Sequence, residues 1–252
     1  MMPTNTISIK SQEEIATLRE VGKSLAKIVG DLKRSLKSGI TTKAVEELAE
    51  QLMVQYNVIP AFKGYRGFPG SVCISINEEV VHGIPSQRVI QEGDIVSLDV
   101  GISSQGFFSD TALTVGIGRI DAKLQKLLSV TKRALYQGIA QARVNNHLTD
   151  ISHAIQSFVE ANHFSVVRDF VGHGIGRLLH EEPEVPNFGE PHQGPILKEG
   201  MVIAIEPMVN LGTWKTKIKE DGWTVVTADG LPSAHFEHTI AITKNGAEVL
   251  TV

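Results

Sequence analysis

Apolar residues recur at spacings of three and four near the start of the chain: Ile15, Leu18, Val21, Leu25, Ile28, Leu32 and Leu36. That period lines one face of a helix. Ser11 and Glu14 stand ahead of it as an S-x-x-E capping box, and Gly39 offers a stop. A second helix is predicted after Thr41 and Thr42, with Val45, Leu48 and Leu52 on one face and its end near Tyr56 and Asn57. From Ser71 to Gly116 the pattern changes to short β-rich runs separated by Gly and Pro, which predicts strands. The order then repeats. Leu124, Leu127, Leu128, Leu135 and Ile139 mark a helix after Asp121, and Ile151, Ile155, Phe158 and Val159 mark another. From Ser165 onward the chain again reads as strands.

The repeat extends to individual residues. Val80-Val81-His82-Gly83-Ile84-Pro85 matches Phe170-Val171-Gly172-His173-Gly174-Ile175 around His-Gly-Ile. Glu92-Gly93 precedes an apolar strand ending at Asp99, and Glu199-Gly200 precedes one ending at Glu206; in both the acid falls seven residues after the Glu. Asp110-Thr111 leads into Ala112-Leu113-Thr114-Val115 much as Glu237-His238-Thr239 leads into Ile240-Ala241-Ile242. Each half therefore carries His, acid, acid in that order. Three matches in one order, after matching helix pairs, predict an internally duplicated α+β fold with pseudo-two-fold symmetry. Its halves run over about 7–118 and 119–252. A centre shared by both halves makes residues 1–252 one domain.

Composition narrows the class of partner. The 252 residues carry a net charge of −4, so no global basic field points to DNA or an anionic membrane. The longest apolar stretches are strand-sized and broken by charge, too short to span a bilayer. The single cysteine, Cys73, cannot form an internal disulfide, which suits a reducing compartment. The opening MMPTNTISIKSQEE has no apolar signal-peptide core. A cytoplasmic location is expected. One local basic feature stands out: Lys215, Lys217 and Lys219 alternate, which on a strand places them on one face. They either guard an edge strand or make a weak contact with ribosomal RNA.

The duplicated acids carry the chemistry. With a turn centred on Ser104 and Gln105, Asp99 and Asp110 would lie directly opposite on adjacent strands. No nearby Arg or Lys relieves that pair, but a divalent cation would. Glu206 and Glu237 pose the same problem in the second half, and His173 adds a neutral nitrogen between two glycines that let the backbone approach closely. Four carboxylates and one imidazole exceed what one catalytic zinc takes, and suit two ions bridged by carboxylates.

The order Asp99, Asp110, His173, Glu206, Glu237 resembles the five-ligand pattern of the methionine aminopeptidases, within the wider pita-bread metallopeptidases. Around it stand Ser71-Val72-Cys73-Ile74-Ser75-Ile76-Asn77, His82-Gly83-Ile84-Pro85, Gly172-His173-Gly174-Ile175-Gly176, His180-Glu181-Glu182-Pro183, Glu206-Pro207 and Asp221-Gly222-Trp223-Thr224. These look like the bacterial-type (type I) branch. Only 32 residues separate His173 from Glu206, which leaves no room for the helical insertion of type II enzymes. The resemblance runs from about Ile7 to the end. It implies the pita-bread fold and removal of the initiator methionine from nascent polypeptide N-termini, before a small second residue. The attacking group would be a hydroxide bridging two divalent ions, whether Co, Mn, Fe, Ni or Zn.

The resemblance also implies roles. Asp99 and Asp110 hold one metal, His173 and Glu206 the other, and Asp110 and Glu237 bridge them. Glu206 carries a proton from the water, His180 hydrogen-bonds the scissile carbonyl, and His82 assists the leaving amine. Phe62, Tyr65, Phe68, Cys73, Leu179 and Trp223 line the methionine pocket, with His82 and His180 beside them. Asn77, Glu79 and Ser233 match positions whose carbonyls can hold a monovalent cation. Here the chain departs from the family pattern at four places: Phe62 where Cys is common, Phe68 where Tyr is, Leu179 where an aromatic is, and His235 where Gln is. A monomer is expected. The rivals are an X-Pro dipeptidase or aminopeptidase of the same fold, and an inactive peptide-binding protein.

Overall fold

The computed structural model describes residues 6–252. The first half supplies helices α1 (Gln12–Ser35) and α2 (Thr42–Gln55) and strands β1 (Ile59–Pro60), β2 (Cys73–Ile76), β3 (Glu79–Val81), β4 (Ile95–Ser104) and β5 (Phe107–Gly116). The second supplies α3 (Ala122–Gln141), α4 (Leu148–Ala161), β6 (Ser165–Val166), β7 (Gly172–Gly174), β8 (Glu181–Val185), β9 (Val202–Ile205), β10 (Met208–Asn210), β11 (Thr216–Ile218), β12 (Val225–Thr227), β13 (Ser233–His235), β14 (His238–Thr243) and β15 (Gly246–Val249). Each half opens with a long helix and a 14-residue one. This is the α+β arrangement that the hydrophobic pattern predicts.

The caps form where the sequence places them. Ser11 Oγ accepts from the Glu14 N–H while the Glu14 carboxylate accepts from the Ser11 N–H, a box worth about 1 kcal/mol. Asp121 caps α3 by accepting from the Lys123 and Leu124 amides. The α1 helix stops at Ser35, four residues before Gly39; Leu36, outside it, still packs on the core.

All named strand pairs are antiparallel. One sheet runs β1-β4-β2 with β5 also on β4; its counterpart runs β15-β14-β9-β7-β8. Two smaller sheets, β13-β10-β6 and β11-β12-β3, flank them. Helices cover the main sheets and make one apolar core per half. Leu25, Ile28, Leu32, Ile74, Val96 and Leu98 anchor the first; Leu127, Leu135, Ile155, Ile203, Ile205 and Ile240 anchor the second. Leu113 on β5 touches both.

The halves are stitched at the backbone. Thr111 Oγ1 donates to the Glu237 carbonyl, and Thr239 Oγ1 accepts from the Asp110 amide and donates to the Asp110 carbonyl. The Glu237 N–H adds a bond to the Ala112 carbonyl.

The hairpin register corrects one expectation. Asp99 faces Ala112, and Asp110 faces Gly101. The turn is therefore centred on Gln105 and Gly106, not on Ser104 and Gln105. Both turn residues have positive φ, 53° and 77°, as a two-residue turn matched to strand twist requires. The displacement from the expected pairing is two residues. An even slip preserves the face, so Asp99 and Asp110 are diagonal neighbours on one side of the sheet.

Lys215, Lys217 and Lys219 flank and occupy β11, the edge of its sheet. Lys219 Nζ lies 2.6 Å from Glu79 Oε1, and Lys217 Nζ donates to the Ala228 carbonyl. Among the described residues no helix is long and apolar enough to cross a membrane.

Candidate metal centre and its pocket

The candidate metal ligands, the two candidate catalytic histidines and the candidate pocket residues line one cleft of about 670 Å³, whereas Asn77, Glu79 and Ser233 do not. Its walls include Asp99, Asp110, His173, Glu206 and Glu237, together with His82 and His180, and Phe62, Tyr65, Phe68, Cys73, Leu179 and Trp223. The β4-β5 hairpin delivers the two aspartates. His173 sits in the middle of β7, Glu206 directly follows β9, and Glu237 directly precedes β14. The β9-β14 register pairs Ile205 with His238; carried one step further, it sets Glu206 across from Glu237.

Ligand atoms of Asp110, His173 and Glu237 all lie within 4.8 Å of one another. Asp99 lines the same cleft close enough for its carboxyl and that of Asp110 to act on each other, and Glu206 Oε1 lies 3.7 Å from His173 Nε2. Glycine makes the crowding at His173 possible. A Cβ on Gly172 would lie 2.3 Å from the Ala204 carbonyl oxygen, and one on Gly174 would lie 2.1 Å from that of Glu182. Any side chain there would push β7 off its neighbours.

Packing four carboxylates into a buried cluster is costly unless cations share the site. Burial, reinforced by neighbouring carboxylates, pushes Asp99, Glu206 and Glu237 well above the usual carboxylate range. Burial raises Asp110 to about 7. Asp110 Oδ1 and Glu237 Oε1 are buried without a hydrogen-bond partner. Unpaired buried carboxylate oxygens beside an imidazole fit divalent cations of hard to borderline character.

The imidazole is set up to match. His173 Nδ1 lies 2.9 Å from the Gly174 carbonyl oxygen. A carbonyl only accepts, so Nδ1 carries the proton and the Nε2 lone pair faces the carboxylates. Burial lowers His173 to about 4, which keeps it neutral.

His180 stacks on Tyr65 at 5.2 Å and sits 4.1 Å from the His173 ring, and burial lowers it to about 3. His82 stands edge-on to Phe170 at 5.6 Å and to Trp223 at 6.4 Å; burial lowers it to about 4. Although His82 and His173 are counterparts in sequence, their backbones differ. His82 follows β3 at φ 60°, whereas His173 lies within a strand. Cys73 faces Asp99 in the β2-β4 register. Burial and the adjacent carboxylates raise its thiol, which suits a pocket wall and not a nucleophile.

Three residues at or behind the cleft were missed or left without a role in the sequence reading. Arg66 and Val81 line it. Arg66 is held at φ 48° with its guanidinium 5.5 Å from the Tyr65 ring centroid, and its adjacency to Tyr65 is the signal that could have found it. His235, noted only as a departure from the family pattern, lies with Nε2 3.6 Å from Glu206 Oε2. Burial, helped by His82, lowers it to about 3.

Comparison with known proteins identifies the family. Residues 16–244 match the model of Metallopeptidase family M24. A methionine aminopeptidase of Clostridium perfringens is 52% identical over 98% of this chain and 99% of its own length. The crystal structure of a methionine aminopeptidase from Thermotoga maritima superposes with a TM-score of 0.96 at 47% identity, covering 98% of this chain and 99% of that one. A prolidase from Pyrococcus furiosus shares the fold at TM-score 0.78, but with 24% identity and only 65% of its length covered. End-to-end correspondence at about half identity with the first two, against partial cover of the third, decides between the branches: the chain belongs to the methionine aminopeptidases of metallopeptidase family M24.

Proposed function

We propose that this chain removes the N-terminal methionine from nascent polypeptides, preferring a small second residue. The observation that carries the reading is the union of two features in one cleft. An apolar recess formed by Phe62, Phe68, Cys73, Leu179 and Trp223 opens onto the carboxylate and imidazole cluster. The recess suits a linear thioether, and the cluster suits a pair of divalent ions.

Asp99 and Asp110 would hold one ion and His173 and Glu206 the other, with Asp110 and Glu237 shared. Two such ions supply Lewis acidity and a water acidified to near neutral pH; Co, Mn, Fe, Ni and Zn all suit this donor set. Glu206, which lines the cleft, would accept the proton of the attacking water. His180, neutral and braced by Tyr65, donates an N–H to the scissile carbonyl as charge builds on its oxygen. His82, across the recess, contacts the departing nitrogen. One catalytic unit of both halves is needed, because each supplies part of the ligand set.

The finer readings follow the same logic. The Asn77, Glu79 and Ser233 carbonyls are candidates for a monovalent cation. A cytoplasmic monomer with a weak ribosome contact through Lys215, Lys217 and Lys219 is the proposed setting; two of these lysines already have partners within the chain, which favours the edge-guard role.

The test is cleavage of Met-Ala-Ser, Leu-Ala-Ser and Ala-Pro-Ser peptides by protein reconstituted with each of the five metals. Methionine release from the first is expected to dominate. Preferential release of Leu, or hydrolysis of the Pro-containing peptide, would overturn the assignment.

A further inference from the structure

Glu206 is faced by two imidazoles. His173 Nε2 lies 3.7 Å from Oε1 and His235 Nε2 lies 3.6 Å from Oε2. The two rings differ in kind. His173 lines the cleft and has its Nδ1 committed to a carbonyl. His235 does not line the cleft; it stands behind Glu206, 1% exposed, and neither of its ring nitrogens has a hydrogen-bond partner.

Orphaned buried polar atoms are uncommon, and each asks for a reason. Both nitrogens of one imidazole, left unpaired beside a buried carboxylate, are a stronger anomaly. The backbone explains why the ring is there at all. Met208 pairs with His235 across β10 and β13, which brings the chain two residues beyond Glu206 alongside it. The Thr114 hydroxyl accepts from the His235 amide and donates to its carbonyl. The main chain is thus fixed on both sides while the ring is free to choose a partner. Glu206 Oε2 stands nearby, and closing 3.6 Å to hydrogen-bond distance takes a shift of under 1 Å.

We propose that His235 is a positioning residue of the metal centre: its Nε2–H donates to Glu206 Oε2 and leaves Oε1 directed at the ion beside His173. The proposal rests on the two-metal reading above. A carboxylate tied at one oxygen presents a single oxygen to an ion and cannot swing to chelate it with both. Bonds of this type to metal-holding carboxylates commonly alter metal affinity by 10- to 100-fold when removed.

The test compares the parent with His235→Gln and His235→Asn. The glutamine amide nitrogen reaches about as far as Nε2, whereas that of asparagine sits near the position of Nδ1. Both variants keep a polar side chain in the buried slot. Metal-free proteins are titrated with Co(II), followed by calorimetry and by the visible absorption of the bound ion. For the Asn variant, weakening of one of the two ions by about 10- to 100-fold and a changed absorption band are expected. The Gln variant should stay within about threefold of the parent. Asn binding like the parent with the same spectrum would overturn the proposal, as would equal weakening of Gln and Asn, which would mark His235 as a packing residue. Should Asn loosen the fold, His235→Met fills the volume without a donor and takes its place. A parent that bound no Co(II) would instead overturn the metal-centre reading itself, so the two failures are distinct.

Discussion

Asp110 gives a quantitative test of how the carboxylate cluster sets stability. Its ordinary value of 3.8 is raised by burial to about 7. Between those limits the folded protein holds a proton that the unfolded chain has released. Folding stability therefore falls as pH rises, by about 1.4 kcal/mol per pH unit. Over the whole interval the loss is on the order of 4 kcal/mol; below 3.8 it vanishes, and above about 7 it stays constant. Five imidazoles that desolvation holds below their ordinary value, His82, His173, His180, His235 and His238, tilt the other way. Their depressed values mean that stability is lost as pH falls below their ordinary 6.5. The total pH profile thus mixes opposing slopes, and the clean quantity is the difference between metal-free parent and metal-free Asp110→Asn. The variant keeps the shape but cannot ionise. Its melting temperature relative to the parent should climb from pH 4 to pH 7, by about 8–16 °C for a chain of this size. Calorimetric melts in a chelator, at half-unit pH steps, measure it. With a saturating divalent ion the parent should instead gain stability over the same range, since bound carboxylates must be deprotonated. A difference between parent and variant that stays flat across pH would refute the argument that burial holds a proton on this group.

Other expectations concern turnover. Asp110→Ala and Glu237→Ala should each abolish peptide cleavage, and near-normal rates for either would sink the shared-ligand reading. His180→Ala should keep its metal content by atomic absorption while losing about 2–4 kcal/mol of transition-state stabilisation in kcat/KM; loss of metal would mean it is a ligand. Phe62→Cys with Leu179→Phe should sharpen discrimination of Met over norleucine more as a pair than the single changes add up to, because both walls touch one substrate side chain; additive kcat/KM values would show that they act separately. Changing Lys215, Lys217 and Lys219 to Glu should spare peptide cleavage and abolish any ribosome co-sedimentation at low salt; unchanged co-sedimentation leaves those lysines as edge guards only.

Much of the fold was legible because the signals are local and repeated. The stripe from Ile15 to Leu32 and the Ser11–Glu14 box lie within a few turns of chain, and helix α1 begins where they place it. The duplicated His, acid, acid order named six groups that line one cleft, with Asp99, Asp110 and His173 inside strands and Glu206 and Glu237 beside strand ends. What was misread depended on geometry that residue identity underdetermines. The hairpin could turn at Ser104-Gln105 or at Gln105-Gly106, and the left-handed backbone of Gln105 decides it. The pairing that sets Asp99 against Asp110 moved by two residues, yet the shared face survived because strands alternate with period two. The position of His235 was out of reach for a different reason. Its contact with Glu206 follows from β10-β13 pairing, a long-range event that no short motif announces.

The threonine stitch between the halves has a mechanical consequence. Thr111 and Thr239 each reach across to main-chain atoms of the other half, not to the carboxylates themselves. The gap between the two sets of metal-holding groups is therefore a backbone dimension, fixed before any ion or peptide arrives. Enzymes built of two lobes often swing shut on what they bind. A joint spanned by reciprocal bonds opposes such a swing, since opening it would break the Thr111 and Thr239 bonds together. On that footing, fitting different first residues falls first to the side chains that face the recess.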